Sequence, residues 1–304
     1  MKKVIITGVT GFIGRALAKR LLNCGVEVYG IGRSENKLLD FESNPLFHKI
    51  LLDFEQYTDI HKFFAGTDID CFFHLAHRGV NGSKKNDYRV QVQNLEVSCE
   101  TVKQATLIGC KRYLFIGSVD EFEISNMPDL PFVEPTHSRI YAASKFSSEI
   151  IGKVLAYENK LEYVTALLSL TYGEGNLTNI LPNVLIRNCE KGVQTNLIKG
   201  DNYFDLIYIE EALDGIVAVA EKGRPFESYY IGHSKLRTFK DVVYTISDII
   251  GYSYDLNFGS YPDPSFSLDY SLIDRDKLYK DTGVVCNYDF KESIIKTKHW
   301  LLNN

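Results

Sequence analysis

The chain has no C-x-x-C pair, a single tryptophan, two methionines and eight prolines in 304 residues. Its six cysteines, Cys24, Cys71, Cys99, Cys110, Cys189 and Cys286, are scattered. That spacing excludes a disulfide scaffold and a paired-cysteine redox or zinc centre, and fits reduced thiols buried as small hydrophobes in a cytoplasm. The histidines (48, 61, 74, 77, 137, 233 and 299) show no H-E-x-x-H or comparable spacing, so no metal is expected. Apolar runs fall short of the roughly 20 residues that a membrane helix needs. The first residues enter a strand directly, so no signal peptide is expected and the cytoplasm is the expected compartment. A net charge of −5 gives no basic surface for nucleic acid or an anionic membrane. Repeats and low-complexity segments are missing too. What remains, 45% hydrophobic and 24% charged residues, is an ordinary globular chain with room for one large or two small domains.

Glycine is placed rather than abundant. Residues 2–14 read KKVIITGVTGFIG, a strand-prone run that enters a glycine-punctuated turn and opens into an amphipathic stretch, Phe12 to Cys24. Gly8 allows a tight turn, Gly11 lets backbone approach a phosphate, and Gly14 removes a side chain where helix meets strand. Phe12 and Ile13 begin the helix, whose free N–H groups and positive dipole end favour an anionic diphosphate. Gly8, Gly11, Phe12, Ile13 and Gly14 are therefore candidate cofactor residues. A merely structural turn is the plainer alternative. The place of the turn, at the first strand-to-helix junction of a βαβ pattern, favours the dinucleotide.

Strand patterns follow at 26–31, 47–52, 70–75, 112–116 and 163–168, with helical stretches near 55–65, 87–109 and 140–159. This alternation predicts an α/β chain with a doubly wound parallel Rossmann sheet. After about residue 170 the pattern changes. Helices are expected at 178–191, 210–222, 238–250 and 289–302, short strands at 204–209, 227–231 and 254–258, and a loop at Pro262 and Pro264. The expected organisation is a dinucleotide-binding domain over 1–170 and a smaller α/β substrate-binding domain over 171–304, intertwined at the boundary.

Several side chains carry chemistry in such a fold. The second strand ends in Gly32-Arg33. An acid there binds the ribose 2′-hydroxyl of NAD, whereas an arginine accommodates the 2′-phosphate of NADP. Arg33 points to NADP, with NAD the alternative and a solvated loop arginine the plainer reading. Asp53, closing the third strand, is placed to accept from the adenine amino group, to cap the next helix, or to do both. The fourth strand ends His74-Leu75-Ala76-His77. Leu75 and the small Ala76 are set to let the cofactor backbone pass, and His77 is either a substrate contact at the cleft mouth or a structural histidine. Tyr141-Ala-Ala-Ser-Lys145 places Tyr141 and Lys145 on one helix face. The lysine cation is expected to lower the phenol pKa towards a useful acid–base value. Ser118 leaves the fifth strand at its C-terminal end, ready to hold the oxygen that Tyr141 addresses.

Taken together, G-V-T-G-F-I-G at 8–14, H-L-A at 74–76, Asn94, Gly117-Ser118 and Y-A-A-S-K at 141–145 resemble the extended short-chain dehydrogenase/reductases. These are the NAD-dependent epimerase/dehydratase enzymes of nucleotide-sugar metabolism, and the likeness runs over essentially the whole chain. Thr171–Gly175 is similar to the family's Y-G-P-G segment, Asp205–Ile209 to its D-F-I-Y-V segment and Tyr230–Gly232 to its N-x-G. The resemblance implies a catalytic triad of Ser118, Tyr141 and Lys145. It also implies a Lys145 contact to the nicotinamide ribose, Asn94 beside the cofactor, Asn179 near a substrate phosphate, and a homodimer through the helices near 87–109 and 140–159.

Departures matter as well. Val119 stands where the 4,6-dehydratases carry an acid, so water elimination is not expected. Asp120 and Glu121 follow, as further acids near the site or, the favoured reading, as a solvated loop. Leu170 replaces an asparagine, and Phe204 replaces an arginine that grips the substrate diphosphate in relatives. Lys84, Lys85, Arg187 or Arg275 are the available substitutes. The function this implies is reduction of a keto-deoxy nucleotide sugar with NADPH. The alternatives are a 4-epimerase that retains NAD and a dinucleotide-binding regulator without catalysis.

Overall fold

The computed structural model describes residues 1–125, 138–262 and 268–304; His137 and Pro264 lie outside them. Strands form where β-branched and aromatic runs are bounded by glycine or polar residues. They are β1 (Lys3–Thr7), β2 (Glu27–Gly32), β3 (Phe47–Leu51), β4 (Cys71–His74), β5 (Arg112–Ser118), β6 (Glu162–Leu168), β7 (Leu170–Tyr172), β8 (Thr195–Leu197), β9 (Tyr203–Phe204), β10 (Leu206–Tyr208), β11 (Ser228–Ile231), β12 (Arg237–Thr238) and β13 (Leu256–Phe258). The α-helices are α1 (Phe12–Asn23), α2 (Glu35–Leu38), α3 (Tyr88–Ile108), α4 (Phe122–Ser125), α5 (Ser138–Glu158), α6 (Leu181–Lys191), α7 (Ile209–Lys222), α8 (Phe239–Ile250), α9 (Lys277–Thr282) and α10 (Phe290–Leu302).

Seven strands form one sheet in the order β11-β6-β5-β4-β1-β2-β3, every neighbouring pair parallel. The chain runs from β1 outward to β3, then crosses to the other side of β1 for β4, β5 and β6. That reversal opens a crevice beyond the C-terminal ends of β1 and β4. A parallel sheet is covered on both faces, and the side-chain alternation of β1 shows it. Val4 and Ile6 join Leu17 and Leu21 of α1 and Ile216 and Val219 of α7, while Ile5 joins Tyr57, Ile60, Val102 and Ala105 on the other face. Burial of one such side chain is worth about 2 kcal/mol. The doubly wound α/β fold expected from the pattern is what forms. The later part of the chain builds three two-stranded ladders, β10-β7, β12-β9 and β13-β8, with α6, α8 and α10, and returns β11 to the edge of the main sheet beside β6.

The stretch expected as a helix near 55–65 is a 3-10 helix, Phe54–Phe63. Its apolar residues Phe54, Tyr57, Ile60 and Phe63 recur every three residues, which matches three residues per turn. Tyr57 and Ile60 are buried by it.

Close backbone approach explains the first turn. Gly8 has φ +71°, and a Cβ on it would meet the Ala76 backbone nitrogen at 2.8 Å. A Cβ on Gly14 would lie 2.3 Å from the Gly8 carbonyl oxygen. Thr7 sets the distance between β1 and β4: its Oγ1 accepts from the Leu75 and Ala76 N–H groups at 3.2 and 3.3 Å and meets His74 Nδ1 at 2.9 Å. Gly25 also has a positive φ, +76°, but nothing within 4 Å of an added Cβ. Gly14→Ala is therefore expected to cost about 3 kcal/mol through overpacking, and Gly25→Ala about 1 kcal/mol through backbone strain alone. Urea denaturation of the two variants beside the parent checks the difference.

Candidate active site

The C-terminal end of β5 and the first turns of α5 meet beside the crevice. Ser118 ends β5, and its Oγ accepts from the Asp120 N–H at 3.2 Å. The Tyr141 phenol lies close enough to the Ser118 side chain for that side chain to favour its ionised form. One helical turn further, Lys145 Nζ donates to the Ile116 carbonyl at 2.7 Å and lies 4.8 Å from the centroid of Phe115. Ser144 Oγ donates to the Gln91 carbonyl at 2.7 Å and ties α5 to α3. The Tyr141 ring is fixed on two further sides. His77 stands edge-on to it at 5.3 Å, and Lys85 Nζ lies 4.7 Å from its centroid while pairing with Asp120 Oδ2 at 3.0 Å. Ser118, Tyr141, Lys145 and His77, expected from separate stretches of sequence, are thus brought together.

Burial dominates the electrostatics. Tyr141 is only 5% exposed, and burial pushes its pKa above the usual tyrosine value. Asp120 and, when ionised, Glu121 push the same way, and the nearby Ser118 side chain pulls it down. Burial lowers Lys145 to about 8, against an opposing push from Glu121. The expected lowering of the phenol pKa by Lys145 is corrected here: the ammonium is turned to the Ile116 carbonyl rather than to the phenol, and desolvation wins. Tyr141 therefore holds its proton at neutral pH. His77 is held neutral by burial first and by the Lys145 charge second, and its Nε2 meets Gln91 Oε1 at 2.9 Å.

The first turn fits a diphosphate. Gly11 is the N-cap of α1, with no side-chain cap and no acidic residue in the first turn, so the leading N–H groups have no internal partner. The tight Gly8–Ala76 approach leaves backbone, not side chains, facing that position. Phe12 and Ile13 sit half-buried against the core behind it. Arg33 is exposed at the end of β2; burial pushes the Asp53 carboxyl up, but its hydrogen bonds to the Phe54 N–H and Arg78, the Arg78 charge and lastly the Arg33 charge hold it below the usual range. Asp53 caps the 3-10 helix: its carboxylate accepts from the Phe54 N–H at 2.9 Å and pairs with Arg78. Asn94 is buried and turned to backbone, accepting from the Arg78 N–H and donating to the Arg78 carbonyl, both at 2.8 Å.

Asn179 is exposed on an open cleft of about 450 Å³, lined also by Asn81, Gly82, Leu177, Thr178 and Ile180. Arg187 reaches the same place, donating to Asn179 Oδ1 and the Leu177 carbonyl at 2.9 Å each. Leu170 is exposed, and Phe204 packs edge-on against Phe239. Arg275 donates to the carbonyls of His233 and Ser234 instead. Among the described residues no His/Cys/Asp/Glu group is arranged to hold a metal, and no helix is long and apolar enough to cross a membrane.

Gln91 and Glu123 escaped the sequence reading, and the favoured reading of Glu121 is overturned. Gln91 is buried and holds the 77–86 loop together: its amide donates to the Gly79 and Lys84 carbonyls at 3.1 and 3.2 Å, and its oxygen takes His77 and Asn94. Glu121 is not a solvated loop residue; it is 3% exposed, and its Oε1 accepts from the Ser118 N–H at 2.7 Å. The S-x-x-E spacing of Ser118 and Glu121, a capping-box pattern, is the signal that was available for it. Glu123, beside Asp120, is pushed up to about 7 mainly by burial. Val119 turns into an apolar cluster with Tyr230, Tyr270 and Ile273.

A family model described as the NAD dependent epimerase/dehydratase family matches residues 4–232. The chain is similar to a dTDP-glucose 4,6-dehydratase of Escherichia coli, 26% identical over 99% of this chain and 94% of that one. Among solved structures it resembles the dTDP-glucose 4,6-dehydratase DesIV of Streptomyces venezuelae with NAD bound, at a TM-score of 0.82 and 19% identity over 99% of this chain and 97% of that one. It also resembles the UDP-glucuronic acid 4-epimerase of Bacillus cereus in complex with UDP-glucuronic acid and NAD, at a TM-score of 0.80 and 20% identity over 99% of each chain. At such identities the structural likeness shows the fold.

Gln91→Leu leaves the His77 Nε2 and the Gly79 carbonyl without the partner seen here and removes one partner each from Asn94 and the Lys84 carbonyl. It is expected to destabilise the protein by about 3 kcal/mol and to speed amide hydrogen exchange over residues 77–86, measured by urea denaturation and mass spectrometry.

Proposed function

The chain belongs to the NAD dependent epimerase/dehydratase family, and from that membership we propose that it is a NAD(P)-dependent oxidoreductase acting on a nucleotide-linked sugar, and specifically a reductase of a keto-deoxy nucleotide sugar. The observation that carries the reductase reading is the burial of Tyr141 beside Ser118, which favours the protonated phenol. A phenol that keeps its proton is equipped to give it to a carbonyl oxygen. Val119 supports the same reading, because the position that carries an acid in dehydratases faces apolar side chains here. The nicotinamide, when bound, supplies the hydride to the carbonyl carbon. Tyr141 gives its proton to the carbonyl oxygen, the Ser118 hydroxyl orients that oxygen, and Lys145 meets the nicotinamide ribose. The diphosphate of the cofactor rests on Gly8, Gly11 and the N-terminus of α1, with Leu75, Ala76, Asn94 and Asp53 along its course and Arg33 at a 2′-phosphate. The substrate occupies the cleft at Asn179, with Arg187 in place of the missing arginine at 204 and His77 beside the reacting carbon.

The alternative is a 4-epimerase that retains NAD and uses the same three residues; what supports it is that solved relatives carry NAD. A homodimer is proposed through α3 and α5. On α5, Ile150, Val154 and Tyr157 form an exposed stripe at i, i+4, i+7, beside exposed Val92 and Leu107 of α3; sedimentation equilibrium checks it.

Tyr141→Phe is expected to lower kcat by about 10²–10⁴-fold while dinucleotide binding, followed by nicotinamide fluorescence, stays close to that of the parent. If turnover survives this change, the enzymatic reading fails. Arg33→Ala is expected to raise the KM for NADPH roughly tenfold and to leave that for NADH unchanged. A parent enzyme that prefers NADH, with no response to Arg33→Ala, removes the NADP assignment and leaves NAD.

A further inference from the structure

Buried charge continues behind the reactive pair, away from the crevice. Glu121 packs so tightly beneath β5 that a Cβ on Gly117 would lie 2.5 Å from its Oε1. That oxygen takes the Ser118 N–H at 2.7 Å. The other oxygen, Oε2, is buried and meets no donor group. What stands within hydrogen-bonding reach of Glu121 is a second buried carboxyl group, Glu149 of α5. Glu149 is already served by Lys153 Nζ at 2.6 Å and by the Ser228 hydroxyl. The other titratable groups around Glu121 are Lys145 and Tyr141 on α5, Tyr163 on β6 and Asp120 on its own turn. Lys145 gives its hydrogen bond to Ile116 and not to Glu121.

Two carboxyl groups hold a hydrogen bond only when one of them carries a proton. Glu149 has a cation and a hydroxyl donor, so it is the one suited to ionise. We propose that Glu121 is a proton-bearing, uncharged positioning residue for Ser118 and Tyr141: its O–H donates to Glu149 while its carbonyl oxygen fixes the Ser118 N–H. Burial, followed by the Glu149 charge, pushes the Glu121 carboxyl well above the carboxylate range, in agreement with the geometry. The absence of charge matters for the chemistry. An ionised Glu121 pushes the Tyr141 pKa up, making the phenol a weaker acid, whereas the neutral form fixes the serine without opposing proton release.

Two variants test this. Glu121→Gln keeps an oxygen for the Ser118 N–H and a donor for Glu149; Glu121→Leu keeps neither. At pH 8.5, where Glu123 and Glu211, both held near 7, are largely ionised, the difference infrared spectrum between parent and Glu121→Gln is expected to show the carbonyl stretch of a protonated carboxylic acid in the parent alone. In turnover of a keto-sugar, Glu121→Leu is expected to lower kcat at least about tenfold with little change in KM, and Glu121→Gln to rescue it to within about threefold of the parent. A parent without the acid band overturns the proposal. So does a Glu121→Gln variant as impaired as Glu121→Leu, or a Glu121→Leu variant as active as the parent. The kinetic arm rests on the reductase reading of Tyr141, but the infrared arm does not, so the two readings fail separately.

Discussion

Desolvation of Tyr141 is the interaction on which the site depends. A phenol in water would be a weak acid with a freely rotating ring. Here it is clamped between the ring of His77 and the ammonium of Lys85, with the Ser118 side chain nearby. Removal from water keeps the proton on the oxygen until an acceptor arrives. The same burial lowers Lys145 to about 8, so a cation is available one helical turn away without being firmly charged. Charge and position are thus set by packing, before any ligand is present.

That packing is a consequence of backbone geometry further away. The parallel order of β1, β4 and β5 places the Gly8 turn, the 77–86 loop and Ser118 around one crevice. Gly8 and Gly14 permit backbone contacts that any side chain would block. Gln91 then converts a loop with little apolar anchorage into a fixed wall, since it holds His77 on one side and the carbonyls of Gly79 and Lys84 on the other. Ser144 locks α5 to the same residue of α3. A change in α3 is therefore transmitted to the tyrosine through hydrogen bonds rather than through the sheet.

The parts legible in the sequence were those set by periodicity and by local turn chemistry. Val4 to Gly14 announced strand, turn and helix, and the spacing of Tyr141 and Lys145 announced a shared helix face. Less legible was anything decided by partners distant in sequence. The hold of the Asn94 amide on the Arg78 backbone, 16 residues away, is one such feature. Asp53 had two readings, and the cap with the Arg78 ion pair is the one visible in the protein's own contacts. The direction of the Tyr141 shift was misjudged because spacing shows that a lysine is near, not that its ammonium bonds to the Ile116 carbonyl. Of the two readings of Glu121, the favoured solvated loop fails, because a charged residue in a polar run reads as solvent-exposed although Gly117 and the Ser118 N–H make room for its carboxyl group.

The central claim is that this site delivers hydride and proton to a sugar carbonyl in one net reduction. The direct test is to incubate the protein with nucleotide-linked keto-deoxy sugars and with NADPH or NADH carrying deuterium at nicotinamide C4, then to analyse cofactor and product together. The account predicts stoichiometric oxidation of the reduced cofactor, with deuterium on the new carbinol carbon. Inversion of a nucleotide sugar at C4 with no net change in cofactor would contradict it and assign the site to an epimerase.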